Sequence, residues 1–156
     1  MKIRIVGGPG SGKTRLAAQL SAQSGVPHYD LDELLWDNAA ERYGTKRDPA
    51  ERDALLQALL RQDDWIIEGA YYAWCGATFA QADRIILLRV PRRTYRQRIV
   101  RRFVRRKLGL ERGKRETLRS LRELLRWADK YERVNLPELR AVLAPYADKL
   151  EERGAT

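Results

Sequence analysis

Two kinds of apolar pattern alternate along this chain. Short continuous runs, Lys2-Ile3-Arg4-Ile5-Val6, Trp65-Ile66-Ile67-Glu68 and Arg84-Ile85-Ile86-Leu87-Leu88-Arg89-Val90, end at Gly7, Gly69 and Pro91 and read as buried strands. Val26 to Asp30 reads as a briefer second strand. Between the runs the spacing becomes helical. Leu16, Ala17, Ala18 and Leu20 form the apolar face of one helix, stopped near Ser24 by Gly25 and Pro27. Asp48-Pro49-Ala50-Glu51 opens another, with Asp48 as N-cap, proline at the first position and Leu55, Leu56, Leu59 and Leu60 as its buried stripe. Helical spacing returns from Pro91 to about Leu108, breaks at Gly109 and Gly113, and resumes with Leu118, Leu121, Leu124, Leu125 and Ala128 on one face. A last helix is expected from Leu136 to Glu152, with Leu139, Val142, Leu143, Tyr146 and Leu150 inward.

Strands separated by helices predict right-handed βαβ crossovers, hence an α/β fold of three layers with a parallel sheet between helices. Because no apolar run follows Glu152, four strands are expected. At 156 residues the chain makes one domain, residues 1–156, able to bury roughly two-thirds of its unfolded surface. Its single cysteine, Cys75, forms no internal disulfide, no run approaches the roughly 18 apolar residues of a membrane span, and a glycine loop follows six residues after the start. A cytoplasmic location without membrane association is expected.

The loop Gly7-Gly8-Pro9-Gly10-Ser11-Gly12-Lys13-Thr14 changes the picture from fold to chemistry. It matches the Walker A pattern at every fixed position and lies between a buried strand and a helix, the context that such a loop requires. Glycines let successive backbone N–H groups turn inward onto phosphate oxygens, and the helix adds free N–H groups and its positive end. Gly8, Pro9, Gly10, Ser11, Gly12, Lys13, Thr14 and Arg15 are therefore the expected nucleotide-binding residues, with Lys13 on the β and γ phosphates and the Thr14 hydroxyl on Mg²⁺. ATP and Mg²⁺ are the expected cofactors.

Many such proteins place a metal-holding aspartate at the end of a later strand, but the clearest candidate strand ends in Arg89. Asp30 and Asp32 are the alternative, at the end of the second strand, where open parallel sheets bind ligands. One would assist the metal (Asp30) and the other accept a proton from an attacking hydroxyl (Asp32); the plainer reading is that they cap the helix that follows. Glu68, Gly69 and Tyr71 close the third strand on the same side and are expected to meet the substrate, a turn with packed aromatics being the competing reading. His28 has no spaced partners and reads as structural, and Cys75 as inert. Trp36, Trp65 and Trp127 read as core; Trp74, in a loop, is left open.

The net charge of +10 is concentrated. Residues 92 to 133 hold 17 Lys or Arg against five Asp or Glu, a local charge of +12. On a helix Arg98, Arg101, Arg102 and Arg105 share one side, a cationic ridge suited to the charge that spreads over a transferring phosphoryl group. A solvated basic face and phosphate contacts to nucleic acid are the other readings of this segment. No interleaved aromatics favour single-strand binding.

Taken together, the loop at residue 7, Asp30-Leu31-Asp32, Trp65-Ile66-Ile67-Glu68-Gly69, Ala82-Asp83-Arg84-Ile85-Ile86-Leu87-Leu88, the arginine-rich segment and Leu125-Arg126-Trp127-Ala128 resemble the P-loop nucleoside monophosphate kinase superfamily. Within it the chain is similar to the small adenylate-kinase-related proteins labelled DNA topology modulation proteins, over residues 1 to about 145. The resemblance implies ATP on the loop, metal and acceptor roles for Asp30 and Asp32 as in shikimate-kinase-like members, a helical lid near residues 98–118, and Arg98 and Arg102 at the phosphoryl-transfer centre. It implies a kinase whose acceptor is a nucleotide, nucleoside or hydroxylated metabolite. The alternative is a regulatory or nucleic-acid-associated P-loop protein with slow or no hydrolysis.

Overall fold

The computed structural model describes residues 1–37, 39, 44–110 and 117–154. Strands β1 (Lys2–Gly7), β2 (His28–Asp30), β3 (Trp65–Gly69), β4 (Arg84–Arg89) and β5 (Leu150–Gly154) form one sheet in the order β2-β3-β1-β4-β5, every neighbouring pair parallel. The helices are α1 (Lys13–Ser24), α2 (Leu31–Leu35), α3 (Pro49–Leu60), α4 (Gly76–Gln81), α5 (Arg92–Lys107), α6 (Leu118–Lys130) and α7 (Leu136–Leu143). A π-helical turn, Tyr131–Asn135, joins α6 to α7, and a 3₁₀ segment, Ala144–Lys149, leads into β5.

Period-two alternation divides the central strand between two cores. Ile3 and Ile5 face α1, packing with Ala17, Ile66, Ile86 and Leu88. Val6 turns to the opposite face, where Leu56, Leu59 and Leu60 of α3, Phe79 of α4 and Leu139 and Leu143 of α7 close over Trp65, Ile67, Ile85 and Leu87. This is the expected three-layer arrangement. Leu55 departs from its expected stripe and is 41% exposed.

The four-strand expectation is overturned by β5. Its sequence Leu-Glu-Glu-Arg-Gly carries no β-branched or aromatic residue, and it joins the sheet at an edge, beside β4. Charged side chains suit an edge strand, which has water on one side. Arg84 Nη2 lies 2.7 Å from Glu151 Oε2 and Arg89 Nη1 3.7 Å from Glu152 Oε2, so alternating charges make the cross-strand pairs that apolar residues make elsewhere. The expected helix to Glu152 ends at Leu143, because Pro145 lacks an N–H and restricts the residue before it.

Arg4 stands in the middle of β1 with no exposed surface. Its guanidinium donates to the carbonyls of Ile5, Ile67, Gly69 and Tyr71 and to Thr78 Oγ1, at 2.5 to 3.4 Å, and its Cζ lies 5.1 Å from the centre of the Phe79 ring. A buried charge is tolerated only when its donors are satisfied in this way. The consequence is local: one side chain ties the end of β3 and the segment after it, which carries Tyr71, to the central strand.

Candidate active site

The phosphate loop lies at the C-terminal end of β1, between its neighbours β3 and β4. Gly10 and Gly12 adopt φ of 70° and 92°, a left-handed conformation that would strain any side chain, and these turns curl the loop back on itself. Gly12 caps α1 without a side-chain acceptor, and the first helical bond runs from Leu16 N to Gly12 O. The preceding amides are therefore left at the helix end, ready for an anion. Lys13 Nζ folds over the loop to donate to Gly8 O at 2.9 Å. Burial lowers the affinity of the Lys13 ammonium for its proton, and Glu68, Asp30 and Asp32 oppose that effect. Ser11 is 3% exposed and its Oγ has no partner among the described residues, a donor that a phosphate oxygen would satisfy.

Two elements brace the loop from the β4 side. The ring of Tyr131, in the π-helical turn, sits so close to Gly8 that a Cβ there would lie 2.6 Å from Cδ1. Tyr95, on the second turn of α5, packs on Gly10, and Arg98 Nη1 donates to Gly10 O at 3.1 Å. Asp129 of α6 locks the two helices together by accepting from Tyr95 Oη at 3.0 Å and Arg96 Nη1 at 2.8 Å.

A cleft of about 790 Å³ opens beside the loop. It is lined by Pro9 to Leu16, Asp30, Asp32, Glu68, Gly69, Ala70, Tyr71, Arg98, Arg102, Leu124, Trp127, Arg153 and Gly154, among others. The structure thus brings nearly all the expected site residues to one cavity; Gly8 alone of them lies behind the loop, under Tyr131. Arg101 and Arg105, grouped with Arg98 and Arg102 in the sequence reading, are exposed and line no part of the cleft. Gly113, expected to interrupt the lid, lies outside the described residues.

The carboxylates have distinct surroundings. Glu68, 2% exposed at the end of β3, accepts from Thr14 Oγ1 at 2.5 Å. The threonine expected on a metal is thus joined directly to Glu68, a residue expected only to meet substrate. Asp30 caps α2 through Asp32 N at 2.8 Å, so the capping reading holds for Asp30, which also lines the cleft. Its carboxyl is pushed up to about 6, chiefly by burial and then by the charges of Glu68, Asp32 and Glu33. Asp32 accepts from Tyr71 Oη at 2.5 Å. Burial and this bond hold the Tyr71 phenol above the ordinary range, so it stays a donor. Gly69 meets a packing demand as well, since a Cβ there would lie 2.9 Å from that of Leu31. The oxygen donors Thr14, Glu68 and Asp30 suit a hard divalent cation that keeps water and phosphate oxygens as its other ligands. No group of three or more His, Cys, Asp or Glu side chains among the described residues is arranged to hold a metal ion by itself.

Several lining residues, among them Arg153, Gly154 and Trp127, carry no functional signal in the sequence. Arg153 and Gly154 belong to the unrecognised β5. Trp127, expected in the core, is 41% exposed and lines the cleft with Leu124, because the buried side of α6 is centred on Ala128. Trp65 is core as expected, with no exposed surface. Trp74 is half-buried, with the guanidinium of Arg52 4.5 Å from its ring centre and Tyr71 beside it.

Fold and loop together define a P-loop α/β fold: a five-stranded parallel sheet between helices, with the phosphate loop after its central strand. A shikimate kinase from Bacteroides thetaiotaomicron matches it at a TM-score of 0.59, with 14% identity over 97% of this chain and 84% of that one. A shikimate kinase from Aquifex aeolicus aligns over 83% of each chain at 19% identity and a TM-score of 0.47. At 14% identity the likeness to the Bacteroides protein speaks for the fold alone. No protein-family model matches the chain, and no curated protein matches it. The finer resemblance to adenylate-kinase-related proteins rests on the sequence motifs only.

Proposed function

We propose that the chain is a small-molecule kinase that transfers the γ-phosphoryl group of ATP to a hydroxyl, with Mg²⁺ on the nucleotide. The observation that supports this reading best is the single cleft in which a complete phosphate loop, the Thr14–Glu68 pair and the Asp32–Tyr71 pair meet. Pro9 to Arg15 hold the triphosphate, Lys13 neutralises its β and γ oxygens, and Thr14, Glu68 and Asp30 would supply oxygens for the metal. Bound metal would draw charge from the phosphate oxygens. Asp32, oriented by the Tyr71 phenol, takes the proton from the acceptor hydroxyl as the new O–P bond forms and the β–γ bridge breaks. Arg98 and Arg102 face the same cavity and neutralise charge spread over the transferring group.

Acceptor-dependent ADP formation tests this reading, together with titration of the folded protein with Mg-ATP and Mg-GTP. Lys13→Ala is expected to weaken nucleotide binding at least about tenfold, the loss of one charge-assisted contact of more than ~1.4 kcal/mol. Absence of nucleotide binding by the intact protein would end the proposal. A second reading, a nucleotide-binding regulator that contacts nucleic acid, draws support from Arg93, Arg101, Arg105 and Lys107, exposed on α5 outside the cleft. It requires binding without turnover and an affinity for DNA that falls steeply with salt.

A further inference from the structure

Of the chain's four tryptophans, three have a cation on the ring. Trp65 is sealed in the core with Lys2 Nζ 6.0 Å from its ring centre, Lys46 Nζ lies 5.8 Å from that of Trp36, and the Arg52 guanidinium lies 4.5 Å from that of Trp74. Trp127 differs. It is 41% exposed, its ring makes no hydrogen bond or ring contact among the described residues, and it lines the cleft. Its exposed neighbours on α6, Arg122, Glu123, Arg126 and Lys130, are all charged. A large apolar side chain held open in a concave site, rather than turned into the core, marks a surface that a ligand covers.

The place of Trp127 along the cleft follows from Tyr131. The Tyr131 N–H donates to Trp127 O across the last turn of α6, so the two side chains share a helix face, about 6 Å apart along the axis. The Tyr131 ring rests on Gly8, and Lys13 Nζ donates to Gly8 O at 2.9 Å. In a loop of this pattern the lysine reaches the β and γ phosphates, so Gly8 and Pro9 mark the γ end of the cradle. Trp127 therefore stands at the end from which the phosphoryl group leaves. Leu124, three residues earlier, lines the same cleft and extends its apolar surface.

We infer that Trp127 is the platform on which the acceptor lies, and that the acceptor is a hydroxyl compound bearing a planar ring, stacked on the indole while its hydroxyl reaches Asp32. This rests on the kinase reading and names its substrate class. An indole offers a broad, flat face, which a planar ring covers completely and a saturated polyol covers in part. Removing such a platform from under a stacked ring costs roughly fivefold to 150-fold in affinity.

The test compares a purine nucleoside, a pyrimidine nucleoside and a hydroxymethylpyridine with methyl riboside and glycerol, which keep hydroxyls without the planar ring. Saturation-transfer NMR on the protein loaded with Mg-ADP reads binding, and ADP release from Mg-ATP reads turnover. Ring-bearing members are expected to bind at least about fivefold more tightly, with the strongest saturation on their ring protons. Trp127→Leu should abolish that preference, as a rise in acceptor KM with kcat and Mg-ATP affinity within about twofold, and Trp127→Phe should retain most of it. The saturation map is read on the natural protein and stands whether or not the leucine variant folds. Equal binding with and without the ring, a preference that Trp127→Leu leaves unchanged, or no binding by any ring-bearing member overturns the inference. So does a loss in Trp127→Leu that falls on Mg-ATP and spares Mg-tripolyphosphate, which would put the nucleotide's own base on the indole. The kinase reading is judged separately: turnover of a ringless member upholds it while the platform falls, and failure of the natural protein to bind Mg-ATP removes it.

Discussion

Gly8 occupies a variable position of the phosphate-loop pattern, yet the structure makes it obligatory for a reason outside the loop. Its φ is not positive, so alanine is conformationally allowed there. In an open site the substitution would stabilise by about 0.4–1 kcal/mol, by reducing the freedom of the unfolded chain. In the fold, the new Cβ would lie 2.6 Å from Tyr131 Cδ1 and 2.8 Å from Cε1, against an optimal carbon separation of about 3.5–4.0 Å. The ring is 8% exposed and must move by roughly 1 Å within a packed core, an overpacking cost of about 1–3 kcal/mol. Gly8→Ala is therefore expected to lower Tm by roughly 2–12 °C in a chain of this length. Mg-ATP affinity should fall with it, because the loop shifts relative to α1. Thermal and urea unfolding of Gly8→Ala, Tyr131→Leu and the double variant give the coupling. With leucine at 131 the alanine should become neutral or stabilising. Additivity within about 0.5 kcal/mol would refute the claim that Tyr131 dictates glycine at position 8.

Other outcomes follow from the same geometry. Glu68→Gln leaves Thr14 a partner but removes a charge beside the metal oxygens, so kcat/KM should fall about 10- to 100-fold and the Mg²⁺ requirement should rise, as read by ADP formation against Mg²⁺. Asp30→Asn keeps the α2 cap, and its effect on stability should depend on pH. The folded carboxyl is raised to about 6 from an ordinary 3.8, so ionisation disfavours the fold. The variant should match the natural protein below pH 4, gain relative stability between pH 4 and 6, and keep that gain above pH 6, as measured by urea midpoints. Arg4→Met leaves buried carbonyls of Gly69 and Tyr71 without their donor and should cost at least about 2 kcal/mol, with a lower Tm and a weaker Asp32–Tyr71 contact.

Some of this molecule is local and therefore legible in order of residues alone. The phosphate loop is one: eight consecutive residues carry their own turn, their own helix end and their own lysine, so spacing suffices to recognise them. Strands β1, β3 and β4 are another, because burial on both faces demands continuous apolar runs such as Arg84 to Val90. Asp30, Asp32, Glu68 and Tyr71 could be expected to share one cleft, as they do, because parallel strands deliver their C-terminal ends to one edge of the sheet.

What tertiary structure alone decided depends on contacts between residues far apart in the chain. Strand β5 carries no pattern of its own; it is a strand because its backbone pairs in parallel with β4 while Leu150 packs on the core, and Glu151 and Glu152 meet Arg84 and Arg89 across that pairing. Trp127 faces the cleft because α6 turns Ala128 toward α5, a rotation that the leucine spacing left open. The Thr14–Glu68 bond joins residues 54 apart, and the Tyr131 ring meets Gly8 across most of the chain. Local periodicity names the faces of strands and helices, but the identity of the atoms that meet there is set by how the packed layers close, and at this site that closure chose the partners.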